Sequence, residues 1–380
     1  MTTTVPGGRW PDSFLDEQRQ LGDPEADSAI AELHREGNVG AALEILRTLI
    51  RNEMPPPEAL PESVRHYIHD TRSLPPWADR ELILRGEHVF QRWGMQIGML
   101  LFQKVLAEGY LARRFALVLS LTHKLESDPQ RRLLETGQLV FDAMAPGGLG
   151  IGGQGIATAL RVRLLHAAIR QVVHDLGAAQ PGLLPADFGV PISQEDMAAT
   201  LMGFSAATLE GLGQLGARIS RDDAEAYIHC WRIVGHFVGI DEAMNPSNYA
   251  EARELLAAVR RRMYAVTPEG LHLESSMLTM LEEISPRPIR GLPRQMIRYL
   301  IGPAYAAQLQ VPQSGWAARV AFGAYIRLNR ALTGFVSVTH MANLAEPVNR
   351  AMLRAMTGKS RGGDRPPFTI PPHLRNKWHI

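Results

Sequence analysis

The sequence predicts an all-α fold built as a single large helical domain. Three observations carry that reading. From Trp77 onward the chain runs in long amphipathic stretches rich in Ala, Leu, Arg and Glu. Alternation of β-branched residues with period two is scarce there. The composition, 45% hydrophobic and 21% charged over 380 residues, is enough to bury a large core and too apolar for a disordered chain.

In order, residues 1–75 read as an N-terminal extension packed on that core. Polar stretches and Pro clusters such as Pro55, Pro56 and Pro57 dominate it, interrupted by one amphipathic segment from Ser28 to Arg51. Residues 76–356 form the core domain, with helices expected at 79–94, 96–109 and 111–124. Asp128 then caps a helix at 129–144, with Pro129 at its first position. A Gly-rich loop separates this from a helix at 156–177. Ser193, followed by acidic first-turn residues, caps 194–211. Further helices are expected at 221–238, 247–263, 268–284, 293–308, 313–331 and 345–357. The last stretch, 357–380, carries five Lys or Arg, one Asp and four Pro, and reads as a basic surface tail.

Forty Lys and Arg against thirty-nine Asp and Glu remove any global attraction to nucleic acid or an anionic membrane. The only cysteine, Cys230, excludes an intrachain disulfide, a Cys-rich zinc site, an all-protein iron–sulfur site and the attachment of a c-type haem. The N-terminus lacks the basic start and apolar stretch of a secretory signal, so a cytoplasmic location is expected. The longest uncharged stretch, Ala143 to Leu160, is crowded with Gly and broken by Pro146, and no transmembrane helix is expected.

Gly150, Gly152 and Gly155 fit G-x-G-x-x-G, with Asp175 twenty residues beyond. A dinucleotide fingerprint needs a preceding strand and βαβ alternation, both missing here, so the glycines read as a tight turn between helices. His229 and His236 share a helix face, about 10 Å apart along the axis by helical rise, too far for one metal ion. His66 and His69 read as surface residues. There is no H-E-x-x-H, G-x-S-x-G or Walker motif.

Two helices hold the informative residues. Around His166, helical spacing puts Ala159, Val162, Ile169 and Val173 on one apolar stripe, with Arg163 and Arg170 one turn to either side on the opposite flank. A histidine so placed is either a satisfied core residue or an axial haem ligand with apolar neighbours against the macrocycle and arginines near its propionates. One helix earlier, the inner stripe reads Arg132, Leu133, Thr136, Leu139, Val140 and Ala143, with Glu135 at its edge. Those polar groups are either an internal Arg132–Glu135 pair or a cluster over one side of a cofactor.

The run from Ala159 to Arg170, with its R-x-R-L-x-H core ending at His166, resembles the MpaB and latex-clearing-protein (rubber oxygenase) family. Two further blocks match its style in the right order, Pro191 to Thr200 and Glu225 to His236. The resemblance, over roughly residues 80–345, implies a globin-like helical core holding a b-type haem, with His166 as axial iron ligand. It also implies dioxygen as co-substrate and cleavage of a carbon–carbon double bond in an isoprenoid-like chain. Latex-clearing proteins carry R-x-x-K-T one helix earlier; Arg132 and Thr136 match it, and Glu135 replaces the Lys. The expected catalytic set is therefore Arg132, Glu135 and Thr136, with His166, Arg163 and Arg170 holding the cofactor and a small apolar molecule as substrate. A non-catalytic haem or diatomic-gas sensor needs the same His166 and no organic substrate.

Overall fold

The computed structural model describes residues 8–37, 39, 49, 51–52, 54–71, 73–123 and 129–339. At 63, 70, 71, 123, 129–136, 284, 288 and 332–339 it describes the backbone alone. The expected helix at 345–357 and the basic tail lie outside the described residues. Among those described the fold is all-α, with one isolated antiparallel bridge, Ala112 to Tyr264, and no strand.

The N-terminal segment holds α1 (Asp12–Gln18), α2 (Pro24–Arg35) and α3 (Glu62–Thr71). Asp23 caps α2 by accepting the Ala26 N–H at 3.4 Å, and Pro24 follows at the first helical position, where no N–H is needed. α2 lies along the helix that carries His166.

Asp79 caps α4 (Arg80–Leu100) through the Glu81 and Leu82 N–H groups. The break expected near Met95 is absent. α4 runs instead through a π-helical turn, Leu101–Val105, into α5 (Leu106–Leu111). α6 (Arg113–His123) follows, and α7 (Pro129–Met144) has the expected bounds. α8 (Gly155–Ala179) is the long helix bearing His166.

Ser193 and Asp196 form a reciprocal capping box at α9 (Gln194–Met202), which passes through a second π-helical turn, Gly203–Ala207, into α10 (Thr208–Gln214). α11 (Arg221–Phe237), α12 (Tyr249–Met263) and α13 (Pro268–Ile284) complete the wall of the core. The helix expected at 293–308 divides at Gly302 into α14 (Leu292–Leu300) and α15 (Pro303–Gln308), and α16 (Trp316–Thr339) closes the described chain.

The most extensive contact is α11 along α4. It is close enough that a Cβ on Gly86 would meet the Cys230 Sγ at 2.5 Å and the Ala226 carbonyl at 2.6 Å. The main core gathers Phe90, Tyr227, Trp231 and Phe237, all nearly solvent-free. A second apolar cluster forms where α13, α14 and α15 meet Tyr110, Leu111 and Ala116. Among the described residues no helix is long and apolar enough to cross a membrane.

Candidate functional site

A cavity of about 550 Å³ opens between α6, α8, α9, α11, α12 and α13, within the range of small-molecule and cofactor sites. α8 offers it Val162, Leu165, His166 and Ile169 at i, i+3, i+4 and i+7, one face of the helix. His166 is half-buried and is the only histidine among the lining residues. Leu139 of α7 lines the same space. Opposite stand the stacked rings of Phe204 and Trp231, centroids 5.3 Å apart, and methionines 197, 263, 277 and 280. Ser276 is exposed and Met280 half-buried, so the mouth lies along α13. Both π-helical turns reach the cavity, through Val105 and through Gly203 and Phe204. Such turns recur at functional sites because they re-aim side chains within an otherwise regular helix.

Two buried charge clusters frame the walls. In the first, the Glu108 carboxylate accepts from Lys104 Nζ at 2.9 Å, Arg260 Nη2 at 2.8 Å and Tyr264 Oη at 2.8 Å. Burial acts to raise the Glu108 pKa, but Lys104 and Arg260 hold it below the ordinary carboxylate range. Burial, with Glu108 beside it, pushes the Tyr264 phenol up. In the second cluster, Arg114 spans Glu195 at 2.6 Å and Asp196 at 2.9 Å. Glu195 also receives Arg19 and Arg262, and despite its burial is held low by these cations. Asp196 goes the other way, raised by its complete burial in spite of Arg114. The polar groups of the wall are thus largely committed to one another, and the cavity surface is predominantly apolar.

Residues 91–331 match the family described as "ER-bound oxygenase mpaB/B'/Rubber oxygenase, catalytic domain", over more than half of the chain. The chain belongs to this oxygenase family. The rubber oxygenase of Streptomyces sp. (strain K30) is 28% identical over 284 residues, 74% of this chain and 68% of that one. A solved structure of latex clearing protein in the closed state superposes with a TM-score of 0.74 at 24% identity, covering 87% of this chain and 90% of that chain. The all-α fold is therefore shared with that protein.

Within this rubber-oxygenase-family domain the sequence-predicted residues separate. His166, Val162 and Ile169 meet at the cavity, whereas Ala159 and Val173 are buried in the protein. Arg163 and Arg170 are not at the cavity. Each is turned to the far side of α8, where Arg163 meets Asp23 at 2.5 Å and Arg170 meets Asp27 at 2.7 Å. The opposite flank assigned to them was right. Their expected place beside a cofactor is corrected, because α2 supplies carboxylates that already neutralise them. Arg132, Glu135 and Thr136 belong to α7, seven, four and three residues before Leu139, and their side chains lie outside the described residues.

The Gly-rich motif is a turn, as expected. Asn52 Oδ1 accepts the Ile156 and Ala157 N–H groups, filling the place a phosphate would take at the start of α8. Asp175 lies on that same helix, about 30 Å along its axis from Gly155 by helical rise. His229 Nε2 accepts the Asp79 N–H at 2.9 Å, and Trp77 packs edge-on against both His229 and His236. Cys230 is buried, its thiol pushed up by that burial, and it reaches the Ile83 carbonyl at 3.6 Å.

Sequence reasoning missed both charge clusters. Lys104 and Glu108 stand four residues apart inside the apolar run from Leu100 to Leu111, a polar intrusion of the kind that singled out Arg132. Glu195 and Asp196 read as cap residues, which Asp196 is, but their buried arginine partners come from distant segments.

Proposed function

We propose that this oxygenase is haem b-dependent, with His166 as the axial ligand and a small apolar, unsaturated molecule as substrate. The observation that carries the reading is a single imidazole on an otherwise apolar face of a cavity of cofactor size. The donor set fits the group. A b-type haem asks the protein for one strong axial nitrogen and apolar walls, whereas a bare ion asks for three or four ligands. Among the described residues no three His, Cys, Asp or Glu side chains gather to hold an ion.

When bound, the haem supplies iron that binds and activates dioxygen, the chemistry that amino-acid side chains lack. His166 holds the group by a ring nitrogen. Val162, Leu165 and Ile169 pack beside it and exclude water. The cavity methionines give an adaptable apolar surface suited to an extended hydrocarbon. Helical spacing from Leu139 supports a role for α7 on another side of the cavity, where Arg132 and Thr136 order the reactants. Glu135 takes a proton on its carboxylate once burial brings its pKa towards the working pH. Cleavage of a carbon–carbon double bond to two carbonyl products is the default reaction, by analogy with the rubber oxygenase to which the chain is similar. Glu135 in place of Lys argues for a substrate other than rubber.

Titration with hemin, followed by absorption, tests the reading: one equivalent should give a Soret band, and His166→Ala should abolish stoichiometric uptake. Normal uptake by that variant would move the ligand elsewhere. Dioxygen consumption with short isoprenoids should then fall in Glu135→Ala, and unchanged consumption would remove Glu135 as the base.

A further inference from the structure

α8 shows His166 to the cavity and, from its back, sends Arg163 and Arg170 to α2. These arginines stand three residues before and four residues after the imidazole. Arg163 Nε and Nη2 donate to Asp23 at 2.5 and 2.8 Å, and Nη2 also reaches Glu25 at 2.9 Å. Arg170 Nε donates to Asp27 at 2.7 Å and Nη1 to the Ile192 carbonyl at 3.0 Å. Both arginines and Asp23 are buried.

Each pair is seated against a glycine. A Cβ on Gly239, whose φ is +87°, would strike the Asp23 carboxylate at 2.2 Å and Arg163 Nε at 2.5 Å. A Cβ on Gly22 would meet Asp27 at 2.6 Å and the Arg170 side chain at 3.4 Å. Gln194 ties the two seats together, its Nε2 donating to the Gly22 and Gly239 carbonyls, each at 2.9 Å. The three carboxylates precede residue 91, where the match to the oxygenase family begins.

We infer that α2 is a strut that fixes the position of His166, with Asp23 and Asp27 as positioning residues. This rests on the reading of His166 as haem ligand. A helix held on one flank at two points seven residues, or about 10 Å, apart cannot turn about its axis. That constraint matters because a 10° turn moves a side-chain tip by about 1 Å at the outer radius of a helix. Functional groups need tighter placement than that. The N-terminal segment is then part of the site's machinery while touching none of its reactants.

The test uses the full chain. In hydrogen–deuterium exchange without hemin, Asp23→Asn with Asp27→Asn should speed exchange of the α8 amides at least tenfold and leave those of α4 and α11 unchanged. In the hemin-loaded protein the same variant should lose hemin to an apoglobin scavenger at least tenfold faster, with a shifted Soret maximum. Should the double variant not fold, the half-exposed Asp27 allows a charge swap. Asp27→Arg and Arg170→Asp should each loosen α8, and together restore exchange to within threefold of the parent. Unchanged α8 exchange and hemin loss in the Asn variants, or a swap that restores nothing, overturns the strut. Stoichiometric hemin uptake by His166→Ala overturns the ligand assignment alone, so the two ideas fail separately.

Discussion

Glu108 and Glu274 are both buried glutamates near the same cavity, yet they hold opposite charge states. Glu108, on α5, is met by Lys104, Arg260 and Tyr264 and stays ionised. Glu274, on α13 next to the cavity-lining Leu273, has no hydrogen-bond partner for either oxygen among the described residues. Burial alone pushes it up to about 8, so it is a neutral acid at physiological pH. The difference shows that in this interior burial decides the cost of a charge, and partners decide whether it is carried.

The sharpest way to break this contrast is to strip Glu108 of a cation. Lys104→Met should destabilise by about 3 to 5 kcal/mol in denaturant unfolding, because a buried carboxylate loses a compensating charge. The pH sign also separates the two acids. Glu108 titrates below its unfolded value, so its stabilisation is full above the ordinary carboxylate range and is lost as pH falls through the folded value. The stability gap between the parent and Glu108→Gln should therefore narrow in acid. Tyr264→Phe removes one hydrogen bond to a charged acceptor and should cost about 1.5 to 3 kcal/mol.

Glu274→Leu should stabilise, by about 1 to 3 kcal/mol, since it removes an unsatisfied buried polar group. Between 4.5 and about 8 the folded state holds a proton on Glu274 that the unfolded chain has released. The parent's stability thus falls as pH rises through that window, and the Leu variant's advantage grows across it before levelling off. A flat difference between pH 5 and pH 8 would show that Glu274 is ionised like Glu108. The exposed pair of Arg85 with Asp223 marks the lower end, and Arg85→Ala should cost less than about 1 kcal/mol, shrinking further in salt.

The helices were readable because their apolar residues repeat every 3.6 positions and several ends carry local signals, as at Pro129 and Ser193. The N-terminal helices were less visible, since the short α1 and the Pro-flanked α3 have little room for a pattern. His166 stood out through its neighbours four residues before and three after, Val162 and Ile169, a local property that folding left intact. Arg163 could not be resolved in the same way. Its partner Asp23 is 140 residues away, and a cation on a helix flank looks the same whether it awaits a propionate or an aspartate. Nothing in a hydrophobic pattern distinguishes a long helix from one with a π-helical turn, so the course from Arg80 to Leu111 was read as two helices rather than one.

That π-helical turn has a consequence for how this chain tolerates length changes. An i to i+5 turn holds one residue more than the α-helix it interrupts, so the segment Leu101–Val105 behaves as an insertion frozen into the helix. Deleting a single residue there would let the turn relax to α-helical hydrogen bonding at no loss of bonds. It would also rotate everything from Leu106 to Leu111 by about 100° against the first half of the helix. Glu108 would then swing away from Arg260 while the backbone stayed helical, a lesion of register and not of secondary structure.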